Sequence, residues 1–261
     1  MSRPILARID PQAFRHNYRL AKDRAGGAKA LAVVKANAYG HGLLRCAEAV
    51  RDVADGFALL ELSEAMDLRE AGFDQPIVML EGFFGEDDLQ LASTHRITSA
   101  IHSEEQIRIL ELSEIERPLD VFIKLNTGMN RLGFRPERLP AVLERLRATG
   151  KLDQIGVMTH FACADGSGID EALARFDAAA AGKGLPRSVA NSATLLRYPH
   201  AAYEWVRPGI VLYGGSPMPE LESAEAIGLK PVMTLASRVI GVQTLQPGES
   251  LGYGATFTAD K

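Results

Sequence analysis

The chain has 261 residues, of which 46% are hydrophobic and 24% are charged, and these proportions are typical of a soluble globular protein. A formal net charge of −4 provides no basic surface for nucleic acid, and no apolar stretch approaches the roughly 18 residues of a membrane span. The N-terminal MSRPILARIDPQ carries charges where a signal peptide needs an apolar core. We therefore expect a cytoplasmic protein that binds neither nucleic acid nor membrane. Two cysteines, Cys46 and Cys163, are too few for a disulfide framework or a metal cluster, so we expect no metal site.

Eight short apolar runs rich in Val, Ile and Leu precede residue 210, and we predict that each is a β-strand. Amphipathic stretches such as residues 63–71 and 136–149 lie between them and predict helices. Strict alternation of strand and helix indicates parallel strands, and eight such units close a (β/α)8 TIM-type barrel. An open doubly wound sheet is the alternative fold. The predicted strands are residues 30–35, 56–60, 76–80, 97–101, 120–125, 155–160, 187–191 and 203–207.

The pattern changes near residue 228. After the Pro- and Glu-rich segment SPMPELES, two β-rich runs flank the turn sequence QPGES, with no helical pattern between them. We predict a barrel over residues 1–228, with residues 1–10 as a candidate strand packed on the second domain. Residues 229–261 predict antiparallel β structure, the beginning of a mostly β C-terminal domain that is truncated here.

Polar side chains follow five of the predicted strands at the end where barrel enzymes carry their active sites. Packing alone does not explain this convergence, because each buried polar group would need its own partner. In strand order these residues are Lys35 with Tyr39, Lys124 with Arg131, His160, Asn191 with Ser192, and Arg207 with Gly209.

Lys35 closes an apolar run, and a desolvated lysine loses its proton readily and is suited to forming a Schiff base. A site with such a lysine, several cations and little acid suits an anionic aldehyde, and pyridoxal 5'-phosphate is such a cofactor. Barrels commonly bind phosphate at the loops after strands seven and eight, where Ser192, Gly209 and Ile210 offer a hydroxyl and backbone N–H groups. The alternative for Lys35 is a strand-end lysine that only extends into solvent.

The segments VVKANAYGHG, NTGMNRLGF, MTHFACAD, ANSA, WVRPGIVLYG and LGYGATF resemble the successive motifs of the alanine racemase family. The resemblance extends from Arg3 to the last residue. It implies a pyridoxal-phosphate-dependent isomerase of the fold-type III barrel class that interconverts L-alanine and D-alanine. It also implies a homodimer whose active sites are shared between subunits, serving D-alanine supply for peptidoglycan or alanine catabolism.

The resemblance also implies roles for individual residues. Lys35 would hold the cofactor and act as the base for D-alanine, while Tyr253 would be the base for L-alanine in the partner's site. Racemisation needs two such groups because one removes the Cα proton from one face of the substrate, and the other delivers a proton to the opposite face of the planar carbanion that results. Arg207 would face the pyridine nitrogen, His160 would hydrogen-bond to Arg207, and Arg131 would lie near the phenolic oxygen.

By the same resemblance, Lys124 matches a lysine that can be carbamylated and would then orient Arg131. Asn126 and Asn130 depart from the family pattern, in which Asp and Gly are frequent at these positions. The implied cofactor-binding set is Lys35, Tyr39, Asn191, Ser192, Arg207, Gly209 and Ile210.

Two other functions fit parts of the sequence. A barrel-only protein that binds pyridoxal phosphate without turnover would fit the short length, but it has no use for LGYGATF. A decarboxylase on the same fold conflicts with Arg207, since strong carbanion stabilisation favours an acidic partner for the pyridine nitrogen. A barrel with a purely structural Lys35 is the remaining alternative. If residues 1–261 are the whole polypeptide, we expect little racemase activity.

Overall fold

The computed structural model describes residues 4–261, so Arg3 and the start of the candidate strand at residues 1–10 lie outside the described residues. Contacts within the described part divide it into two compact units. One spans Ile9–Met233, and the other comprises residues 4–8 together with Thr234–Lys261. The domain boundary after residue 228 stays a prediction. No helix in residues 4–261 is long and apolar enough to cross a membrane.

Up to β8, each strand is followed by one or two α-helices. The strands are β1 (Leu6–Ile9), β2 (Lys29–Val33), β3 (Gly56–Leu59), β4 (Ile77–Met79), β5 (Ile97–Ile101), β6 (Leu119–Lys124), β7 (Leu152–Met158), β8 (Arg187–Ser188), β9 (Trp205–Val206), β10 (Met233–Ala236), β11 (Ser250–Leu251) and β12 (Phe257–Thr258). The helices are α1 (Pro11–Arg24), α2 (Lys35–Tyr39), α3 (Leu43–Ala49), α4 (Leu62–Glu70), α5 (Glu86–Thr94), α6 (Glu104–Leu112), α7 (Leu139–Ala148), α8 (Asp170–Ala180), α9 (Ser192–Arg197) and α10 (Ala224–Ile227).

The strands β2 to β9 form one sheet in the order β8-β7-β6-β5-β4-β3-β2-β9, and neighbouring strands are parallel. Hydrogen bonds span the seam where β8 and β9 meet. The N–H of Arg207 donates to the carbonyl of Ala190 at 2.8 Å, and the Ser188 hydroxyl donates to the carbonyl of Trp205 at 2.9 Å. The predicted (β/α)8 barrel is confirmed, and the open doubly wound alternative is wrong.

The barrel has an apolar interior and a larger apolar layer between its strands and helices. Side chains alternate between the two layers along β2, where Leu31 and Val33 point inward while Ala30 and Ala32 pack outward. Gly156 makes room for an interior side chain, because a Cβ atom there would lie 2.5 Å from the Phe122 ring.

The helices follow their predicted amphipathic patterns. The segment predicted as a helix at residues 136–149 starts with a 3-10 turn at Pro136–Arg138 and continues as α7. The buried face of α7 carries Leu139, Val142, Leu143 and Leu146, the stripe that the sequence predicts. Gly150, with φ of +66°, follows this helix in the left-handed conformation that glycine adopts without strain.

In the second unit, β1 pairs with β10, and β11 pairs with β12 in antiparallel register. Residues 237–246 form no strand, although the sequence is β-rich through residue 245. Val239 is 81% exposed and Ile240 is 89% exposed, and no described strand lies beside them to complete a ladder. The first β-rich run is therefore a strand only over Met233–Ala236.

Candidate active site

A cavity of about 310 Å³ lies at the carboxyl ends of the barrel strands. Its wall contains the site residues that the sequence predicts within the barrel unit. These are Lys35, Tyr39, Lys124, Arg131, His160, Asn191, Ser192, Arg207, Gly209 and Ile210.

Lys35 is the first residue of a short helical turn whose backbone is left-handed. The four residues that follow it, Ala36–Tyr39, have φ values of 54°, 53°, 53° and 51°, so the turn is left-handed. Such a conformation costs L-amino acids roughly 1–2 kcal/mol per residue. The turn ends at Gly40, whose N–H donates to the carbonyl of Ala36 at 3.0 Å. It brings the Lys35 Nζ atom to 5.9 Å from the centre of the Tyr39 ring.

Tyr39, Ser192, Gly209 and Ile210 form what we call the hydroxyl corner of the cavity. The Ser192 hydroxyl accepts a hydrogen bond from the N–H of Gly209 at 2.9 Å. A Cβ atom at Gly209 would lie 3.0 Å from the Tyr39 hydroxyl, so a side chain there would crowd the corner. Burial raises the pKa of Tyr39, which keeps its hydroxyl protonated and able to donate at neutral pH.

Tyr213 supports the hydroxyl corner from behind. Its ring stacks on the Tyr39 ring with centroids 4.6 Å apart. Its hydroxyl donates to the carbonyl of Val33, the last residue of β2, at 2.9 Å. The Tyr39 side chain is therefore fixed relative to the strand that precedes Lys35.

A second group of residues that line the cavity, which we call the cationic wall, consists of Lys124, Arg131, His160 and Arg207. Arg207 is 5% exposed. Its Nη1 donates to the carbonyl and hydroxyl of Ser188, and its Nη2 donates to the carbonyl of Thr159 at 2.7 Å. Burial lowers the pKa of Arg207 to about 10, so the guanidinium remains charged at neutral pH.

His160 faces Asn191, whose Nδ2 atom is 3.4 Å from the His160 Nε2 atom. The Asn191 Oδ1 atom accepts hydrogen bonds from the N–H and hydroxyl of Thr194, so its amide nitrogen must face the imidazole. Nε2 then carries no proton. Burial, with the charges of Arg207 and other cations, lowers the pKa of His160 to about 3. The imidazole is therefore neutral.

The hydrogen bond between His160 and Arg207 that the resemblance implies is absent from the described structure. The Nη1 and Nη2 groups of Arg207 donate instead to Ser188 and Thr159, which hold the guanidinium across the ends of β7 and β8. The two side chains line the same cavity, where the positive charge of Arg207 helps to lower the pKa of His160.

Lys124 ends β6 and is 7% exposed. Its Nζ donates to the carbonyl of Leu80 at 3.2 Å. Burial, together with the positive charges of Arg207 and Arg131, lowers the pKa of Lys124 to about 8. A substantial fraction of this amine is therefore unprotonated in mildly alkaline solution.

The model of the family "Alanine racemase, N-terminal domain" matches residues 9–217. The chain belongs to the alanine racemase family. Among curated proteins, the alanine racemase of Nitrosospira multiformis is 51% identical over 99% of this chain and 73% of that protein. The catabolic alanine racemase of Klebsiella aerogenes is 48% identical over 98% of this chain and 72% of that protein.

Solved alanine racemase structures share the fold. The biosynthetic alanine racemase of Pseudomonas aeruginosa superimposes with a TM-score of 0.92 at 41% identity, over 99% of this chain and 73% of that one. The alanine racemase of Acinetobacter baumannii gives 0.91 at 35% identity, over 99% and 73% of the two chains.

The two departures from the alanine racemase pattern have a structural role in the loop that carries Arg131. The Asn126 Oδ1 atom accepts hydrogen bonds from the N–H groups of Gly128 and Asn130. Asn130 has φ of +56°, a conformation that Asn tolerates better than most residues other than glycine. The loop then returns to β6, where the N–H of Phe134 donates to the carbonyl of Lys124 at 2.9 Å.

Tyr253 belongs to the second unit, where it begins a 3-10 turn with its side chain fully exposed. Sequence reasoning gave no role to two acids that also line the cavity, Glu81 and Asp165. Glu81 directly follows a predicted strand and Asp165 ends the segment MTHFACAD. The sequence positions of both acids could therefore have indicated that they line the site.

Proposed function

We propose that this protein is an alanine racemase that uses pyridoxal 5'-phosphate. The observation that carries the proposal is the meeting, in one cavity of an alanine racemase barrel, of Lys35, the hydroxyl corner and the buried Arg207. Relatives named alanine racemase at about half identity over nearly the whole chain support the same reaction.

The cavity residues fit this cofactor. Lys35 would hold its aldehyde carbon, and the hydroxyl corner would bind its phosphate through two hydroxyls and backbone N–H groups. Because a Cβ atom at position 209 would crowd the Tyr39 hydroxyl, glycine keeps a side chain out of this part of the corner. When bound, pyridoxal phosphate withdraws electrons from the substrate Cα atom and makes its proton labile.

Arg207 favours racemisation over decarboxylation. It is charged, is fixed by Ser188 and Thr159, and has no acceptor atom, so it could only donate a hydrogen bond to the pyridine nitrogen of a bound cofactor. His160 is neutral and adds no proton. A wall that withholds a proton from this nitrogen gives a weaker electron sink, which limits side reactions.

Two bases complete the proposal. Lys35 would move the proton on the face of D-alanine, and Tyr253 would do so on the face of L-alanine, in the cavity of the partner subunit of a homodimer. Lys124 is the candidate for carbamylation, in which its unprotonated amine adds to CO2, loses a proton and becomes an anion that orients Arg131. Isotope-labelled bicarbonate should give a carbamate signal that Lys124→Gln removes, and an unlabelled Lys124 would reject this role.

Chiral analysis of products tests the proposed function. The purified protein with pyridoxal phosphate should convert L-alanine to D-alanine, and Lys35→Ala should lose this conversion while Lys230→Ala, at an exposed lysine, keeps it. Release of ethylamine would identify a decarboxylase. Cofactor binding without exchange of the alanine Cα proton in D2O would favour a carrier.

A further inference from the structure

Glu64 lies in the first turn of α4, and the proposed function assigns it no role. Its Oε1 atom accepts a hydrogen bond from the backbone N–H of Asn37 at 2.5 Å. Its Oε2 atom is buried and has no hydrogen-bond partner among the described residues. Burying a carboxylate oxygen without a partner is costly, and an apolar side chain would fill the same space at lower cost. Packing alone therefore does not explain a carboxylate here.

Asn37 is the centre of the left-handed turn that follows Lys35. Its carbonyl accepts from the N–H of Gly42 at 2.9 Å, and its side-chain Oδ1 accepts from the N–H of Leu43 at 2.8 Å. These bonds tie the turn to the start of α3, whereas the bond from Asn37 to Glu64 ties it to α4. Glu64 thus holds the turn from a second helix.

The turn needs such support because its four left-handed residues include no glycine. Relaxation of Ala36–Tyr39 toward right-handed φ would change the direction of the chain between Lys35 and Tyr39. Tyr39 would then leave its stack on Tyr213, and the Lys35 amine would no longer face the hydroxyl corner. A carboxylate in the first turn of α4 also lies near the positive end of the helix dipole.

We propose that Glu64 is a positioning residue: by accepting the Asn37 N–H it maintains the left-handed turn that presents the Lys35 amine and the Tyr39 hydroxyl to the same bound cofactor. This inference rests on the proposed function for the identity of the cofactor. The hydrogen bond that carries it is present in the protein itself, so it has a test that needs no cofactor.

Three variants separate the hydrogen bond from other effects. Glu64→Ala removes the acceptor, and Glu64→Gln keeps an acceptor oxygen at the same position. Glu61→Ala is the matched control, because Glu61 is exposed, precedes the same helix and makes no capping hydrogen bond. Hydrogen–deuterium exchange at the Asn37 amide is the first measurement. Glu64→Ala should speed exchange about ten- to a hundredfold, the effect of losing one hydrogen bond to a charged acceptor.

The second measurement is the fraction of Lys35 that borohydride fixes to pyridoxal phosphate. It should fall in Glu64→Ala, recover in Glu64→Gln and match the unsubstituted protein in Glu61→Ala. Rescue by Gln distinguishes positioning from a general loss of folding. The inference would be overturned if the Asn37 amide in Glu64→Ala exchanged at the rate of the unsubstituted protein. It would also be overturned if the labelled fraction of Lys35 in Glu64→Ala equalled that of the unsubstituted protein.

The two failures are distinguishable. If the unsubstituted protein takes no label on Lys35, the proposed function fails, while Asn37 exchange still tests the role of Glu64 in the turn. If Glu64→Ala does not fold, Glu64→Asp provides the same test, since its carboxylate is one methylene shorter. Faster Asn37 exchange in that variant supports the inference, and unchanged exchange contradicts it.

Discussion

The hydroxyl corner and the cationic wall of the cavity are built in different ways. The hydroxyl corner offers neutral donors. The Tyr39 ring is fixed by stacking on Tyr213, and the Ser192 hydroxyl is fixed by accepting a hydrogen bond from the Gly209 N–H. The cationic wall gathers positive side chains whose mutual repulsion and burial lower the pKa values of Lys124 and His160. The corner therefore offers hydrogen bonds from neutral groups, whereas the wall concentrates positive charge.

The largest effect should come from Arg207, because it is both charged and structural. Arg207→Ala removes the donors to Ser188 and Thr159 and leaves a cavity at the seam. We expect it to lower the free energy of unfolding by about 3–5 kcal/mol in urea denaturation. Arg131→Ala, on the same wall but exposed, should change it by less than about 0.5 kcal/mol. Equal losses would mean that burial does not distinguish the two arginines.

His160 should make the free energy of unfolding of the protein depend on pH. The folded protein lowers the pKa of His160 to about 3, whereas an unfolded chain has an ordinary histidine pKa near 6.5. Only the unfolded chain binds this proton between those values, so the contribution to stability is present above pH 6.5 and is lost as the pH falls toward 3. Between pH 7 and pH 5 we expect a loss of about 1–2 kcal/mol. Urea denaturation of His160→Gln should lack this loss, and an equal loss in the variant would contradict it.

The smallest effect should come from the hydroxyl corner. Ser192→Ala removes the acceptor of the Gly209 N–H and the hydroxyl that we propose as a donor to the phosphate. A hydrogen bond to a phosphate anion is worth about 1.5–3 kcal/mol, but the Gly209 N–H freed by the substitution would donate in its place. We therefore expect a net loss of about 1 kcal/mol, so that pyridoxal phosphate binds about fivefold more weakly. Equilibrium titration measures this affinity, with Ser63→Ala at an exposed serine as the control. Unchanged affinity would remove Ser192 from the corner.

Sequence patterns could predict the barrel and most of the cavity wall because parallel strands carry their chemistry at one end. Lys35, Lys124, His160 and Arg207 each lie at or next to the end of a predicted strand, and the structure brings all four to one cavity. Polarity at a strand end is a local feature of the sequence, so no knowledge of packing was needed to find these residues.

The remaining features depend on contacts that the sequence does not encode locally. No glycine in residues 36–39 indicates a left-handed turn, and its support by Glu64 depends on the packing of α4. The partner of His160 is set by the orientation of the Asn191 amide. Residues 237–245 have strand-like composition, but a strand also needs a neighbour for its backbone hydrogen bonds.

Lys35 is the lysine that we propose to bind the cofactor. Peptide mapping after incubation with pyridoxal phosphate and reduction by borohydride tests this proposal most directly. We expect one reduced pyridoxyl label, on Lys35, and we expect free phosphate at high concentration to suppress it by competing for the hydroxyl corner. A label on Lys124 or on any other lysine, or no label at all, would contradict it.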